Sequence, residues 1–157
     1  MMTDKEKSWD KLLQIKTVGR DDKNSDEYRY PYEPTPYCVL ERLAQTELFG
    51  RDDTVLDYGC GKGRVGFFLS YKTGARSIGI EYDERIYESA IENQKTSAPR
   101  AKSDFVLTRA EEYEVPVKLS AISHDGVYDK KPALAQKLFF QTSDELDLFY
   151  APKIAAI

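Results

Sequence analysis

Short apolar runs alternate with amphipathic segments through the middle of the chain. The apolar runs cover residues 54–56, 77–80 and 105–107, and runs of this length are typical of strands that a parallel sheet buries on both faces. Between them, apolar residues spaced three and four apart predict two helices, one that ends at Gly74 and one that begins at Asp83. This alternation predicts a doubly wound, mostly parallel α/β sheet with helices on both faces.

Two further helices are predicted ahead of the first strand. The first covers about residues 3–15 and carries Trp9 and Leu12 on an apolar face. A tyrosine-containing loop follows. The second helix then begins with Thr35 as its N-cap and Pro36 at its first helical position. We expect both helices to pack against the sheet.

The pattern becomes weaker after Pro116. The remaining residues can supply a fourth strand at 119–123, a helix at 132–141 and a fifth strand at 146–150, so we expect fewer than seven strands. The length fits a single domain. Its expected parts are an N-terminal helix and aromatic loop (1–36), a ligand-binding core (37–116) and an atypical C-terminal part (117–157), together residues 1–157.

Composition narrows the functional classes. The chain has 27 acidic and 23 basic residues and a net charge of −4, which disfavours bulk electrostatic binding of nucleic acid but leaves room for a local basic groove. Cys38 and Cys60 match neither a disulfide framework nor a paired zinc motif, so we expect a cytoplasmic protein without a metal site. No apolar run approaches the roughly 18 residues of a membrane span, so no membrane association is expected.

A glycine-rich turn follows the first strand. Gly59, Gly61 and Gly63 alternate, so the backbone can adopt positive φ and approach a ligand without a Cβ in the way. The helix that follows directs its unpaired N–H groups at the same turn. The spacing predicts a ligand cradle between the strand and the helix.

Acidic residues accompany this turn. Asp57 comes just before it and could meet an ammonium group, while Glu81 follows Gly61 by 20 residues, where a carboxylate can bind ribose hydroxyls. Tyr82 could cover one face of an adenine. Because the carboxyl ends of parallel strands share one edge of the sheet, we expect these side chains and the turn at 109–111 to line one crevice.

The glycines alone do not fix the ligand. Gly61, Gly63 and Gly66 also fit the dinucleotide pattern G-x-G-x-x-G, which keeps a nicotinamide-dependent oxidoreductase open as a less favoured alternative. On that reading the strand would run to Cys60 and bury Asp57. A phosphate-binding P-loop is excluded, because Gly63 and not a serine or threonine follows the lysine of the turn.

The sequence Val-Leu-Asp-Tyr-Gly-Cys-Gly-Lys-Gly-Arg at 55–64 resembles motif I of class I S-adenosylmethionine-dependent methyltransferases, which have a Rossmann-like fold. Ile-Gly-Ile-Glu-Tyr-Asp at 78–83 resembles the acidic strand end that follows motif I in that family. The segment at 106–111 is similar to the family's adenine-side turn, and the segment at 32–37 to a segment that folds over the methionine end. The resemblance covers about residues 28–116.

The resemblance implies S-adenosylmethionine as cofactor. Asp57 would then lie near its amino group, and Glu81 would bind its ribose. Backbone N–H groups of Ala110 or Glu111 would contact the adenine, since Arg109 stands where the family commonly has an acid or amide. The resemblance further places the three alternating glycines at the methionine portion, and Tyr32 and Thr35 over the methionine end.

The acceptor side carries less information. The Asn/Asp-Pro-Pro/Phe motif common among methyltransferases of nitrogen acceptors is absent after the fourth predicted strand, where His124 and Asp125 are the candidate catalytic groups. Methyl transfer to an unidentified small molecule, protein or RNA is the favoured function, and a non-catalytic S-adenosylmethionine-binding module is the alternative. Whether the chain is an enzyme therefore stays open, and an open sheet edge would allow a homo-oligomer.

Overall fold

The computed structural model describes residues 3–21 and 32–114. Within them, three strands form a parallel sheet in the order β1 (Thr54–Tyr58), β2 (Arg76–Glu81) and β3 (Ser103–Leu107). The predicted parallel α/β sheet is therefore confirmed. The strand, helix and strand predicted after Pro116 lie outside the described residues.

In the described part of the chain, four α-helices precede or connect these strands. Their bounds are α1 (Asp4–Leu13), α2 (Tyr37–Gln45), α3 (Arg64–Thr73) and α4 (Glu84–Thr96), and a 3-10 helix, η1 (Ala110–Glu112), follows β3. Helix α3 connects β1 to β2, and α4 connects β2 to β3, as parallel pairing requires. Asp83 caps α4 by accepting hydrogen bonds from the N–H groups of Arg85 and Ile86, and Gly74 ends α3 with φ of 74°.

The main hydrophobic core lies on the face of the sheet that carries Val55. Side chains of α1, α2 and α3, among them Tyr37 and Phe68, pack there against Val55. On the opposite face, Leu56 and Ile80 form a smaller cluster that includes no α-helical residue of the described chain. The predicted covering of that second face by helices thus concerns residues outside the described part and stays a prediction.

The structure corrects the N-terminal expectations. Leu12 is 52% exposed, while Asp10 is buried, because α1 turns its inner face toward a polar cluster as well as toward the core. Helix α2 begins at Tyr37 with Pro36 as its N-cap residue, so the predicted Thr35 cap is wrong. The first turn of α2 instead receives its acceptor from α1, since the N–H of Tyr37 donates to Glu6 Oε1 at 3.0 Å.

Strand β1 is longer than the three residues expected. It continues to Tyr58, so Asp57 lies inside the strand opposite Gly79 rather than after it. Strand β3 likewise begins at Ser103, ahead of its apolar run. Both extensions consist of polar or charged positions that still have pairing partners in β2.

Close packing of α3 on the sheet depends on Gly66. A Cβ at this position would overlap the hydroxyl of Ser77 and lie 3.2 Å from that of Ser103. We expect Gly66→Ala to lower the free energy of unfolding by about 1–3 kcal/mol despite its better helix propensity, because overpacking separates helix from sheet. Urea unfolding measures the change. Gly50→Ala is the control, since its Cβ would have only one neighbour, at 3.6 Å, and an equal loss in both variants would contradict this explanation.

Candidate functional site

The glycine-rich turn adopts the left-handed backbone that its sequence predicts. Gly59, Gly61 and Gly63 have φ of 74°, 57° and 89°. They differ in what a side chain would meet: a Cβ on Gly63 would lie 2.7 Å from Phe105, and one on Gly61 would overlap Tyr32. A Cβ on Gly59 would have no neighbour within 4 Å among the described residues. Gly59 is thus the position at which the turn is open to a ligand.

Hydrogen bonds from two neighbouring elements hold the turn. The N–H groups of Gly59 and Cys60 donate to the carbonyl of Ile80 at 2.8 and 3.0 Å. The buried Asn93 of α4 donates to the carbonyl of Lys62 at 3.0 Å and also bonds both main-chain groups of Lys16. Groups of the protein itself therefore fix the main chain of the turn.

Glu81 lies at the end of β2 against this turn. Its Oε2 accepts from the N–H of Gly61 at 3.0 Å, and its Oε1 accepts from the N–H groups of Tyr82 and Asp83, both at 2.9 Å. Burial raises the pKa of the carboxyl, although these three hydrogen bonds oppose the rise. Glu81 thus occupies the predicted position, and its role toward a ribose stays a prediction.

Asp57 is the second buried carboxyl beside the turn. It is 5% exposed, and its Oδ2 has no hydrogen-bond partner among the described residues. Burial, with a smaller contribution from the negative charge of Glu81, raises the pKa of Asp57 to about 8. A buried oxygen without a donor suits a cationic group such as an ammonium. The dinucleotide pattern G-x-G-x-x-G also required Asp57 to be buried, so its burial removes one argument against a nicotinamide cofactor.

Tyr32 and Thr35 both lie close to the turn, but in different ways. The ring of Tyr32 covers Gly61, and its hydroxyl donates to the carbonyl of Thr17 at 2.6 Å. Burial raises the pKa of this phenol. Thr35 contributes its carbonyl, which accepts from Arg64 Nη1 at 3.1 Å. The structure therefore places the Tyr32 side chain at the turn and fixes Thr35 through its main chain.

The adenine-side candidates lie at the same edge of the sheet. Tyr82 directly follows β2 and is half-buried. Ala110 and Glu111 belong to η1 after β3, and the N–H of Thr108 bonds the Glu81 carbonyl at 2.9 Å, which ties the two strand ends together. His124 and Asp125 lie outside the described residues. The strand ends thus come together as expected, while the contacts to a ligand stay predictions.

The sequence reasoning missed a buried arginine. Arg64, the first residue of α3, is 3% exposed, and its guanidinium lies 4.2 Å from the ring centroid of Tyr37. Its Nε donates to the Thr17 hydroxyl at 2.7 Å, and its Nη1 pairs with Glu6. Its Nη2 lies 3.7 Å from Asp10 Oδ1 and has no hydrogen-bond partner among the residues the structure describes.

Asp10 completes this cluster from α1. Its carboxylate accepts from the N–H and hydroxyl of Thr17 at 2.5 and 2.7 Å, from the N–H of Val18 at 3.2 Å and from the hydroxyl of Tyr37 at 2.6 Å. A carboxyl on the inner face of α1 and an arginine directly after the glycines were the signals available in the sequence. Asp10 and Arg64 are 54 positions apart, so the local sequence pattern could not show that they lie together.

The described residues contain neither a candidate metal site nor a candidate membrane-spanning helix. No cluster of three or more His, Cys, Asp or Glu residues there could hold a metal ion. No helix among residues 3–21 and 32–114 is long and apolar enough to cross a membrane.

Comparison with known proteins places these features in context. No family model matches the chain. A protein-lysine N-methyltransferase from Saccharolobus islandicus (strain REY15A) is 36% identical over 67 residues, which are 41% of this chain and 42% of that protein. The match thus spans about two fifths of the relative's length.

Two solved structures share the fold. An RNA methyltransferase from Salinibacter ruber, in complex with S-adenosyl-L-homocysteine, has a TM-score of 0.50 and 26% identity, over 58% of this chain and 57% of that one. A protein-L-isoaspartate O-methyltransferase also has a TM-score of 0.50, at 20% identity, over 63% of this chain and 31% of that one. The second likeness concerns the fold alone.

The sheet, the glycine-rich turn and these similarities define one class of protein. The described residues have the Rossmann-like fold of class I S-adenosylmethionine-dependent methyltransferases, and the resemblance read from 55–64 and 78–83 is confirmed.

The raised pKa of Asp57 predicts a pH dependence of stability. The pKa of the Asp57 carboxyl is about 8 in the folded chain and 3.8 in the unfolded chain. Between these pH values the folded state binds the proton more strongly, so the contribution of Asp57 to the free energy of unfolding decreases as pH rises. We expect Asp57→Asn to make the free energy of unfolding less dependent on pH in this range. Urea unfolding from pH 5 to 9 measures this. The exposed Asp104→Asn variant on β3 is the control, and equal pH slopes for wild type and Asp57→Asn would refute the prediction.

Proposed function

We propose that this chain binds S-adenosylmethionine and transfers its methyl group to an acceptor. The observation that carries the proposal concerns Gly59 and Asp57. Within residues 3–21 and 32–114, no side chain would contact a Cβ on Gly59, and the buried Oδ2 of Asp57 has no hydrogen-bond partner. A backbone free of side chains admits a ligand closely, and an unpaired carboxyl favours one that carries a cation. The amino-acid portion of S-adenosylmethionine carries an ammonium group.

The neighbouring groups fit the rest of that cofactor. Asp57 would receive the ammonium group, and Glu81 Oε2, which accepts one hydrogen bond from the described residues, retains a lone pair for a ribose hydroxyl. Tyr82 and the N–H groups of Ala110 or Glu111 would bind the adenine at the ends of β2 and β3. The bound cofactor supplies an electrophilic methyl group on sulfur, so the protein mainly has to orient an acceptor and exclude water.

A nicotinamide cofactor is less favoured. Gly61, Gly63 and Gly66 do fit the dinucleotide spacing, and Gly66 packs α3 against the sheet as that pattern requires. An ammonium group, however, would stabilise the ionised forms of the buried Asp57 and Glu81, whereas a pyrophosphate would oppose them. The protein-lysine and RNA methyltransferase relatives add further support for S-adenosylmethionine.

For the methyl acceptor, we propose a class of molecule and not an individual compound. The relatives act, by their names, on protein lysine and on RNA, and a small molecule is the third class that we consider. The net charge of −4 supports a protein or small-molecule acceptor over RNA held by bulk electrostatics. A cytoplasmic location and self-association through an open sheet edge are further inferences, and light scattering measures the second.

Binding can be tested at Gly59. We expect wild type to bind S-adenosylhomocysteine in calorimetry and Gly59→Ala to weaken binding at least tenfold, or about 1.4 kcal/mol, because the new methyl group occupies the open side of the turn. Gly74→Ala is the matched control, since Gly74 has the same φ of 74° but lies at the far end of α3. Absence of binding by wild type at millimolar ligand, or an equal loss in both variants, would refute the proposed site.

Catalysis needs a separate measurement. We expect labelled methyl groups to pass from S-adenosylmethionine to a protein, RNA or small-molecule fraction of a cell extract, and to pass more slowly with Gly59→Ala. The labelled fraction identifies the acceptor class. Binding of cofactor without transfer to any fraction would instead identify a non-catalytic S-adenosylmethionine-binding module.

A further inference from the structure

We propose that Arg64 is a positioning residue that holds the N-terminal strap, residues 15–21 and 32–36, over the methionine end of the cofactor site. The inference rests on the proposed function, because it assigns which part of the cofactor depends on this arginine. Nothing in the sequence motif gives Arg64 this task. It follows from the contacts that one buried guanidinium makes on both segments of the strap.

The two segments meet at Arg64. Its Nε donates to the Thr17 hydroxyl at 2.7 Å in the first segment, and its Nη1 donates to the Thr35 carbonyl at 3.1 Å in the second. Tyr32 connects them again, because its hydroxyl donates to the Thr17 carbonyl at 2.6 Å. The same Tyr32 ring covers Gly61, three residues before Arg64. Arg64 therefore binds both segments of the strap, which a main-chain pair between Asp21 and Tyr32 also joins, at 2.9 and 2.6 Å.

The local position of Arg64 does not favour helix stability. A cation in the first turn of a helix opposes the helix dipole, and the N-cap, Gly63, offers no side-chain acceptor. Burial of a guanidinium adds a desolvation cost unless carboxylates neutralise it. Here Glu6 and Asp10 of α1 provide that neutralisation. A residue that conflicts with its own helix but is bonded to side chains of a distant cluster is expected to serve that cluster.

Arg64 acts on the cofactor through Tyr32 and not by contact. Its Nη2 is buried, faces Asp10 at 3.7 Å and is not open to a ligand. The adenosine side depends instead on Glu81, whose described hydrogen bonds go to the main chain of Gly61, Tyr82 and Asp83. Loosening the strap should therefore affect the amino-acid portion of the cofactor and spare its adenosine portion.

Two ligands separate these effects. S-adenosylhomocysteine carries the amino-acid portion, and 5′-methylthioadenosine lacks it. Arg64→Lys keeps the charge but loses the planar fork that reaches Thr17 and Thr35 together. By calorimetry, we expect this variant to bind S-adenosylhomocysteine at least tenfold more weakly and 5′-methylthioadenosine within about threefold of wild type. Arg42→Lys, at an exposed position of α2, is the control and should change neither.

A milder variant keeps the test valid if Arg64→Lys does not fold. Thr17→Val removes the hydroxyl that accepts from Arg64 Nε and donates to Asp10, but it retains the main-chain N–H that donates to Asp10 and the carbonyl that accepts from Tyr32. The same split between the ligands is therefore expected with a smaller magnitude. If a folded variant binds both ligands equally more weakly, or binds neither more weakly, the role of Arg64 is overturned while the proposed function stands. A wild-type chain that binds neither ligand overturns the proposed function, and this inference with it.

Discussion

A guanidinium withdrawn from water has to be neutralised where it lies, and this constraint organises the N-terminal half of the structure. Arg64 begins α3 directly after the glycine-rich turn, so the carboxylates that balance it must come to that turn. Glu6 and Asp10 bring α1 with them, and Glu6 also accepts from the first N–H of α2. The placement of α1 and α2 therefore depends on charge as much as on the apolar contacts of the core.

The other side of the turn carries acidic side chains. Asp57 and Glu81 are buried there, and both carboxyls have raised pKa values because burial disfavours their anions. Arg64 pairs with α1 and not with these carboxyls. The site thus keeps its cation in the scaffold and leaves carboxyl oxygens at the turn, which is the polarity that a ligand with an ammonium group requires.

The sequence predicted those parts that depend on neighbouring residues. The left-handed glycines and the end of α3 at Gly74 each follow from a local conformational requirement, and the structure has both. The helix predicted to begin at Asp83 is also present, with Asp83 as its N-cap residue. The position of Glu81 beside the turn could be predicted because the carboxyl ends of neighbouring parallel strands share one edge of the sheet. Leu12 was misassigned because apolar periodicity cannot show that an inner helix face is partly polar. The pairing of Arg64 with Asp10 joins distant positions, and the burial of Asp57 depends on a strand extension into charged sequence, so neither could be read locally.

The hydrogen bonds of the glycine-rich turn bear on the entropy of ligand binding. Ile80, Glu81 and Asn93 hold its main chain through groups of the protein itself, so folding meets the entropic cost of ordering the turn. A ligand that binds at Gly59 would not have to meet that cost again, and more of its contact energy would remain for affinity.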